Sequence, residues 1–171
     1  MVKIEDYIRD IQDFPEEGIL FKDITPLLNH PEALQAMKEK LLALVGDQQV
    51  DKVVGIESRG FFLGTLLAQE LNAGFVPVRK KGKLPYTSVQ ETYELEYGID
   101  TLEIHQDAIS KGEKVLIHDD VLATGGTAKA VCNLVEKLGG EILQCNFMMK
   151  LDFLKGADKL QPHTVAAVLS Y

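Results

Sequence analysis

The sequence has 171 residues, 46% of them hydrophobic and 26% charged, which suits one domain with a sizeable core better than two. Eighteen Lys and Arg against 26 Asp and Glu leave a formal charge of −8, arguing against the broad basic face that DNA or RNA binding needs. No apolar run approaches the roughly 18 residues of a membrane span. The start, MVKIEDYIRD, carries early acidic residues and no long apolar stretch, so neither a membrane anchor nor a signal peptide is expected.

Ile4, Tyr7, Ile8 and Ile11 recur at helical spacing until Pro15 and Gly18 stop the pattern. The segment GILFKDITPLL, 18–28, shows little periodicity and reads as an arm over the domain. Pro31 opens a helix with Leu34, Met37, Leu41, Leu44 and Val45 on its apolar side. Val53, Val54 and Ile56 form a short strand around Gly55, followed by ESRG, an apolar helix through Leu71, and a strand over 74–78.

Residues 79–92, RKKGKLPYTSVQET, are polar, rich in turn formers and almost free of apolar periodicity, so a mobile lid and a plain surface loop are both open. YELEY, 93–97, alternates like a strand that 101–105 can extend. Val115–Ile117 form another strand core. The helix after ATGGT places Ala128, Val131, Cys132, Val135 and Leu138 on one face until Gly139 and Gly140 end it. Further strands are expected over 142–151 and 165–169. Cys132 and Cys145, the only cysteines, lack metal-ligand spacing or a redox motif and read as core thiols of a cytoplasmic protein.

Short apolar strands separated by helices predict an α/β fold, a single domain over 1–171 with a central, mainly parallel sheet flanked by helices. Ligands of such sheets gather at the carboxyl ends of the strands, which points to three loops: 57–60, 79–92 and 119–127.

In VLIHDDVLATGGT, 115–127, Asp119 and Asp120 leave a strand end and a small-residue turn enters a helix. Gly125 and Gly126 let backbone N–H groups close on phosphate oxygens, and Thr124 and Thr127 add hydroxyls; Thr127 can also cap the helix. The carboxylates suit sugar hydroxyls or a divalent ion. A capped turn with solvated aspartates is the plain alternative. The loop has neither the GxxxxGK[ST] nor the GxGxxG pattern, which points to sugar phosphate over nucleotide hydrolysis or nicotinamide chemistry. In Glu57-Ser58-Arg59-Gly60 the glycine permits a tight turn, Arg59 brings a five-donor fork, and backbone donors at the helix start suit a pyrophosphate; a plain strand–helix connection is equally open. Arg79, Lys80, Lys81 and Lys83 concentrate positive charge in an acidic chain.

VLIHDDVLATGGT resembles the phosphoribosyl-diphosphate signature of type I phosphoribosyltransferases. FPEEGILFKDITPLL at 14–28, ESRGF at 57–61, VRKKGKLP at 78–85 and YELEYG at 93–98 extend the resemblance, over nearly the whole chain, to those members that act on adenine. The resemblance implies that family's fold, with residues 1–28 as a base-covering arm and 79–98 as a flexible lid region. It implies transfer of ribosyl 5-phosphate from phosphoribosyl diphosphate to N9 of adenine, giving AMP and diphosphate in purine salvage. Magnesium is then required, held mainly through the donor and assisted by Asp119 or Asp120, and the protein is a homodimer without nucleic-acid or membrane partners.

By the same resemblance, Asp119 and Asp120 engage the ribose hydroxyls, and Ala123, Thr124, Gly125, Gly126 and Thr127 wrap the 5-phosphate. Glu57, Ser58, Arg59 and Gly60, with Arg79 and Lys83, meet the diphosphate. Leu20, Phe21 and Lys22 cover the base, with Phe21 stacking. Glu96 and Tyr97 lie near the base and reaction centre and, with Arg59 and Lys83, form the catalytic set, Glu96 managing the purine proton. The chain departs from the pattern at His118, read as a neutral core histidine, and at Lys150, Lys22 and Tyr86. Rival readings are transfer to another base such as xanthine or hypoxanthine, and a non-catalytic phosphoribosyl-diphosphate sensor.

Overall fold

The β-branched runs of the sequence become strands of one sheet, and glycines decide how closely the helices approach it. The computed structural model describes residues 2–94 and 98–171, and the backbone divides into two compact units, 1–40 and 41–171.

In the first unit the helix expected over 3–11 is replaced by a 3-10 turn, Ile4–Tyr7, and a strand β1, Arg9–Gln12. β1 pairs antiparallel with β2, Leu20–Asp23, in a register running from Arg9 opposite Asp23 to Gln12 opposite Leu20. Four apolar residues cannot distinguish a helix from a strand when a partner segment lies close along the chain. The connection closes through Asp13, which accepts the Gly18 N–H at 2.7 Å, with Gly18 at φ +87°. The arm is therefore more regular than expected. A one-turn helix α1, Thr25–Leu28, follows, and Asp23 sets its entry by accepting the Thr25 N–H at 2.9 Å and hydroxyl at 2.8 Å. α2, Pro31–Val45, begins at the predicted proline and buries Ala33, Met37, Leu41 and Val45 at four-residue intervals, while Leu34 and Leu44 stay half-buried.

The larger unit contains β3 (Lys52–Ile56), α3 (Gly60–Glu70), β4 (Gly74–Lys80), β5 (Ser88–Glu94), β6 (Ile99–His105), β7 (Lys114–Leu122), α4 (Gly126–Lys137), β8 (Glu141–Lys150) and β9 (Val165–Ser170). The sheet order is β5-β6-β4-β3-β7-β8-β9. β4, β3, β7, β8 and β9 pair in parallel, whereas β6 runs antiparallel to both β4 and β5. The mainly parallel sheet is as expected. Its central trio, β4-β3-β7, carries the three candidate loops on adjacent carboxyl ends.

β5 is the element the sequence concealed. Val89, Glu91 and Tyr93 turn inward by alternation, but the middle position is charged, so no apolar period shows. Glu91 is satisfied from α4, accepting Asn133 Nδ2 at 2.7 Å and pairing with Lys137 Nζ. On that face Val54, Ile56, Ile117 and Phe147 pack with Val131, Cys132 and Val135 of α4. Cys132 and Cys145 are buried free thiols with Sγ atoms 3.6 Å apart.

α3 lies close to the sheet because Gly55 and Gly64 leave room for the Phe75 ring. A Cβ on Gly55 would fall 2.6 Å from that ring, and one on Gly64 3.0 Å from it. Among the described residues no helix is long and apolar enough to cross a membrane.

Candidate active site

β7 does not stop before the aspartates; it runs on to Leu122, so Asp119 and Asp120 are strand residues held by pairing with β8. Alternation then sends neighbouring side chains apart. Asp120, 3% exposed, pairs with Arg59, whose Nε lies 2.9 Å from Oδ2. Asp119 Oδ1 accepts the Asp120 N–H at 2.9 Å. Burial, then the Asp120 carboxylate beside it, push Asp119 well above the ordinary carboxylate range. Burial also raises Asp120, with Arg59 offsetting part of the effect. Gly60, the first residue of α3, is what lets this happen: a Cβ there would stand 2.8 Å from the His118 carbonyl and 2.9 Å from Asp119 Oδ1.

Beyond Leu122 the chain turns through Ala123 and Thr124 to Gly125, the N-cap of α4, at φ +80°. Among the described residues no side chain caps this helix. Thr127, expected as a possible cap, instead donates its hydroxyl to the Tyr93 hydroxyl at 3.3 Å. The N–H groups of the first turn therefore face the loop, as an anion site requires. Asp119, Ala123, Thr124, Gly125 and Thr127 line a pocket of about 90 Å³. That is several times one water and well below the roughly 300 Å³ of a pocket that engulfs a whole ligand. It suits a single phosphate group. Gly156 backs the loop, since a Cβ on Gly125 would meet its carbonyl oxygen at 2.3 Å and a Cβ on Gly156 would meet that of Ala123 at 2.1 Å.

At the ends of β3 and β4 the predicted cations have a carboxylate among them. Glu57 accepts the Lys80 N–H at 2.8 Å, pairs with Lys83 Nζ, and lies 3.4 Å from Arg79 Nε. Burial alone would raise its carboxyl; Lys83, the Lys80 N–H and Arg79 together hold it below the usual range. Ser58 accepts the Phe61 N–H at 3.1 Å through its carbonyl, closing the turn into α3. The structure thus gathers Glu57, Ser58, Arg59, Gly60, Arg79, Lys83, Asp119, Asp120 and the 123–127 loop around the ends of three adjacent strands.

His118 is fully buried, with Nδ1 3.1 Å from Asn146 Oδ1 on β8. This agrees with a core histidine bonded to backbone: the Asn146 backbone and side chain both hydrogen-bond the ring. Burial depresses its pKa to about 4, more than the Asn146 hydrogen bonds restore. Between an unfolded value near 6.5 and the folded value the unfolded chain binds more protons, so stability falls as pH drops through that window. At full extent the loss is about 3 kcal/mol. Denaturant titrations at pH 7 and pH 4.5 should show this slope, and His118→Gln should flatten it relative to the parent; equal slopes would contradict the assignment.

A phosphoribosyl transferase domain model matches residues 23–165. Adenine phosphoribosyltransferase from Flavobacterium johnsoniae is 66% identical over 170 residues, spanning 99% of this chain and all of the relative. Adenine phosphoribosyltransferase from Rhodothermus marinus superposes with a TM-score of 0.95 at 56% identity, covering 98% of this chain and 96% of the other. The chain belongs to the adenine phosphoribosyltransferase family. Its Saccharomyces cerevisiae member, complexed with adenine and an imino-altritol bisphosphate, has a TM-score of 0.91 at 44% identity, with 96% and 95% of the two chains covered.

Other predicted residues of this phosphoribosyltransferase are placed less fully. Leu20, Phe21 and Lys22 form β2 in the first unit, Phe21 meeting Phe14 edge-on at 5.0 Å and Lys22 pairing with Asp10 at 2.7 Å. Glu96 and Tyr97 lie outside the described residues. Lys150 ends β8 and pairs with Asp152 at 3.0 Å; Tyr86 is exposed, its ring edge-on to His105. Gly156 and the buried Glu103 were not among the residues expected at the site. Only the glycine of LKGAD offered a hint, and its partner loop is distant in sequence. Among the described residues no group of three or more His, Cys, Asp or Glu could hold a metal.

Proposed function

We propose that this chain transfers the 5-phosphoribosyl group from phosphoribosyl diphosphate to N9 of adenine, releasing AMP and diphosphate, as a purine-salvage enzyme. One observation carries the reading: a phosphate-sized helix-start pocket, two aspartates and a cationic turn follow one another across adjacent strand ends. That order matches a donor with phosphate at one end, hydroxyls in the middle and diphosphate at the other. A relative bound to both adenine and a sugar bisphosphate supports it.

In this reading the 123–127 loop holds the 5-phosphate, and Asp119 and Asp120 accept hydrogen bonds from the ribose hydroxyls. The C1–O bond to diphosphate breaks as N9 bonds to C1. Arg59, Arg79 and Lys83 stabilise charge gathering on the departing diphosphate. Glu96 takes the proton released from the purine imidazole, with Tyr97 beside it, and Leu20, Phe21 and Lys22 meet the base. Magnesium bound with the donor supplies further charge neutralisation at the diphosphate. Asp119, which lines the phosphate pocket, is the carboxylate that would meet such an ion, which favours one or two carboxylates shared with substrate oxygens over an all-protein cage; Asp120 is paired with Arg59. The reading also implies a cytoplasmic homodimer.

Phosphorus NMR of the protein with donor, magnesium and adenine should show one AMP and one diphosphate per donor consumed. Release of ribose 5-phosphate with adenine unchanged would mean hydrolysis and sink the proposal.

A further inference from the structure

Glu57 is a carboxylate standing among the groups that should receive an anion. Its oxygens are taken by a single turn: Oε2 accepts the Lys80 N–H at 2.8 Å and lies 3.4 Å from Arg79 Nε, and Oε1 pairs with Lys83 Nζ. The Arg79 and Lys83 positions are also tied together, Arg79 Nη1 donating to the Lys83 carbonyl at 3.4 Å. The Glu57 side chain is 8% exposed, whereas those of Arg79 and Lys83 are 35% and 47% exposed. The anion sits inside and the cations face out. Arg79 Nε is buried and makes no hydrogen bond among the described residues, so its charge is balanced by Glu57 without a hydrogen bond.

The turn is held from a second side as well. Glu103, 4% exposed on β6, accepts the Gly82 N–H at 3.0 Å and Gln90 Nε2 at 2.8 Å. Lys83 can therefore swing from Glu57 to another anion while the Lys80–Gly82 backbone stays anchored.

We propose that Glu57 is a positioning residue for the leaving group: it keeps Arg79 and Lys83 in register and competes with diphosphate for both. This rests on the transferase reading above. Two cations without a resident anion would bind diphosphate tightly in the site, and product release is a common limit on turnover. A fixed carboxylate at the same cations lowers affinity for the departing anion while preserving the geometry that receives it.

Calorimetric titration with magnesium diphosphate tests this without turnover. Glu57→Gln keeps an acceptor for the Lys80 N–H and removes the charge. Its dissociation constant for diphosphate should fall about two- to fivefold, the scale of a partly exposed ion pair. Product inhibition by diphosphate should tighten in parallel, and affinity for ribose 5-phosphate, which lacks the diphosphate, should hold. In a Lys83→Gln background the gain should shrink. A purely structural Glu57 predicts the opposite sign, because a loosened turn binds diphosphate less well. Unchanged or weaker diphosphate binding by the folded variant overturns the proposal. If Glu57→Gln does not fold, Glu57→Asp, which withdraws the carboxylate by one methylene, takes its place with the same expected direction. Failure of the transferase reading would show instead as no AMP from the parent protein, with the calorimetric comparison still decisive for Glu57.

Discussion

Gly125→Ala should nearly abolish use of the phosphoribosyl donor, with kcat/KM falling by about 100-fold or more. Two costs combine. The residue sits at φ +80°, where an L side chain is strained by about 1–3 kcal/mol. Its new Cβ would also stand 2.3 Å from the Gly156 carbonyl oxygen, a backbone atom that cannot swing aside. The loop must move off Gly156, and the N–H groups that define the phosphate pocket move with it. A displacement of about 1 Å at a binding constellation is enough for losses of that size. Thermal stability should fall too, by about 5 °C or more at this chain length. Gly126→Ala is the contrast: among the described residues its Cβ would meet only the Glu94 carbonyl at 3.5 Å and the Tyr93 ring at 3.7 Å, both ordinary contacts. Stability should therefore change little there. Parallel melting curves and donor kinetics check both, and a Gly125→Ala protein with parental donor KM would contradict the loop geometry.

Asp119→Asn should separate stability from activity. The substitution keeps an oxygen that can accept the Asp120 N–H but removes one of two adjacent carboxylates. In the proposed role of Asp119 as acceptor for the ribose hydroxyls, loss of the charge costs about 1.5–3 kcal/mol, or roughly 10- to 100-fold in kcat/KM. Folding should respond the other way. A carboxyl whose folded pKa is raised binds more protons folded than unfolded, so its ionised form costs stability as pH rises from the ordinary value through the folded one. At neutral pH that cost is present, and the neutral amide removes it. The variant should melt higher than the parent at pH 7, by a few degrees, with the advantage shrinking towards pH 4. A variant that melts lower at pH 7 would show that the Asp119 carboxylate stabilises the fold.

The parallel core of the sheet was legible because its strands are buried on both faces and read as short β-branched runs, as in KVVGI and VLIHD. β5 was not, because its inward Glu91 is hydrogen-bonded by Asn133 and neutralised by Lys137, residues more than 40 positions away. The terminal hairpin was lost for a related reason: pairing of β1 with β2 overrode a helix-like spacing of four isoleucine and tyrosine side chains. At the site, residue types singled out three loops, and the parallel topology brought those loops together. What sequence cannot supply is which partner each charge takes. Arg59 faces Asp120, and Glu57 faces Arg79 and Lys83, so two of the carboxylates are counter-ions within the site. Gly156 was invisible as a loop support because its role is a backbone contact with Ala123 and Gly125.

The most direct test is nucleotide formation from phosphoribosyl diphosphate and magnesium, with adenine, guanine, hypoxanthine, xanthine and orotate offered separately. AMP from adenine, with the other four bases inert, is the predicted result. A nucleotide formed from another base while adenine stays unconverted would keep the donor site and reject the assigned acceptor. Tight donor binding by the folded protein with no nucleotide from any base would contradict transfer itself.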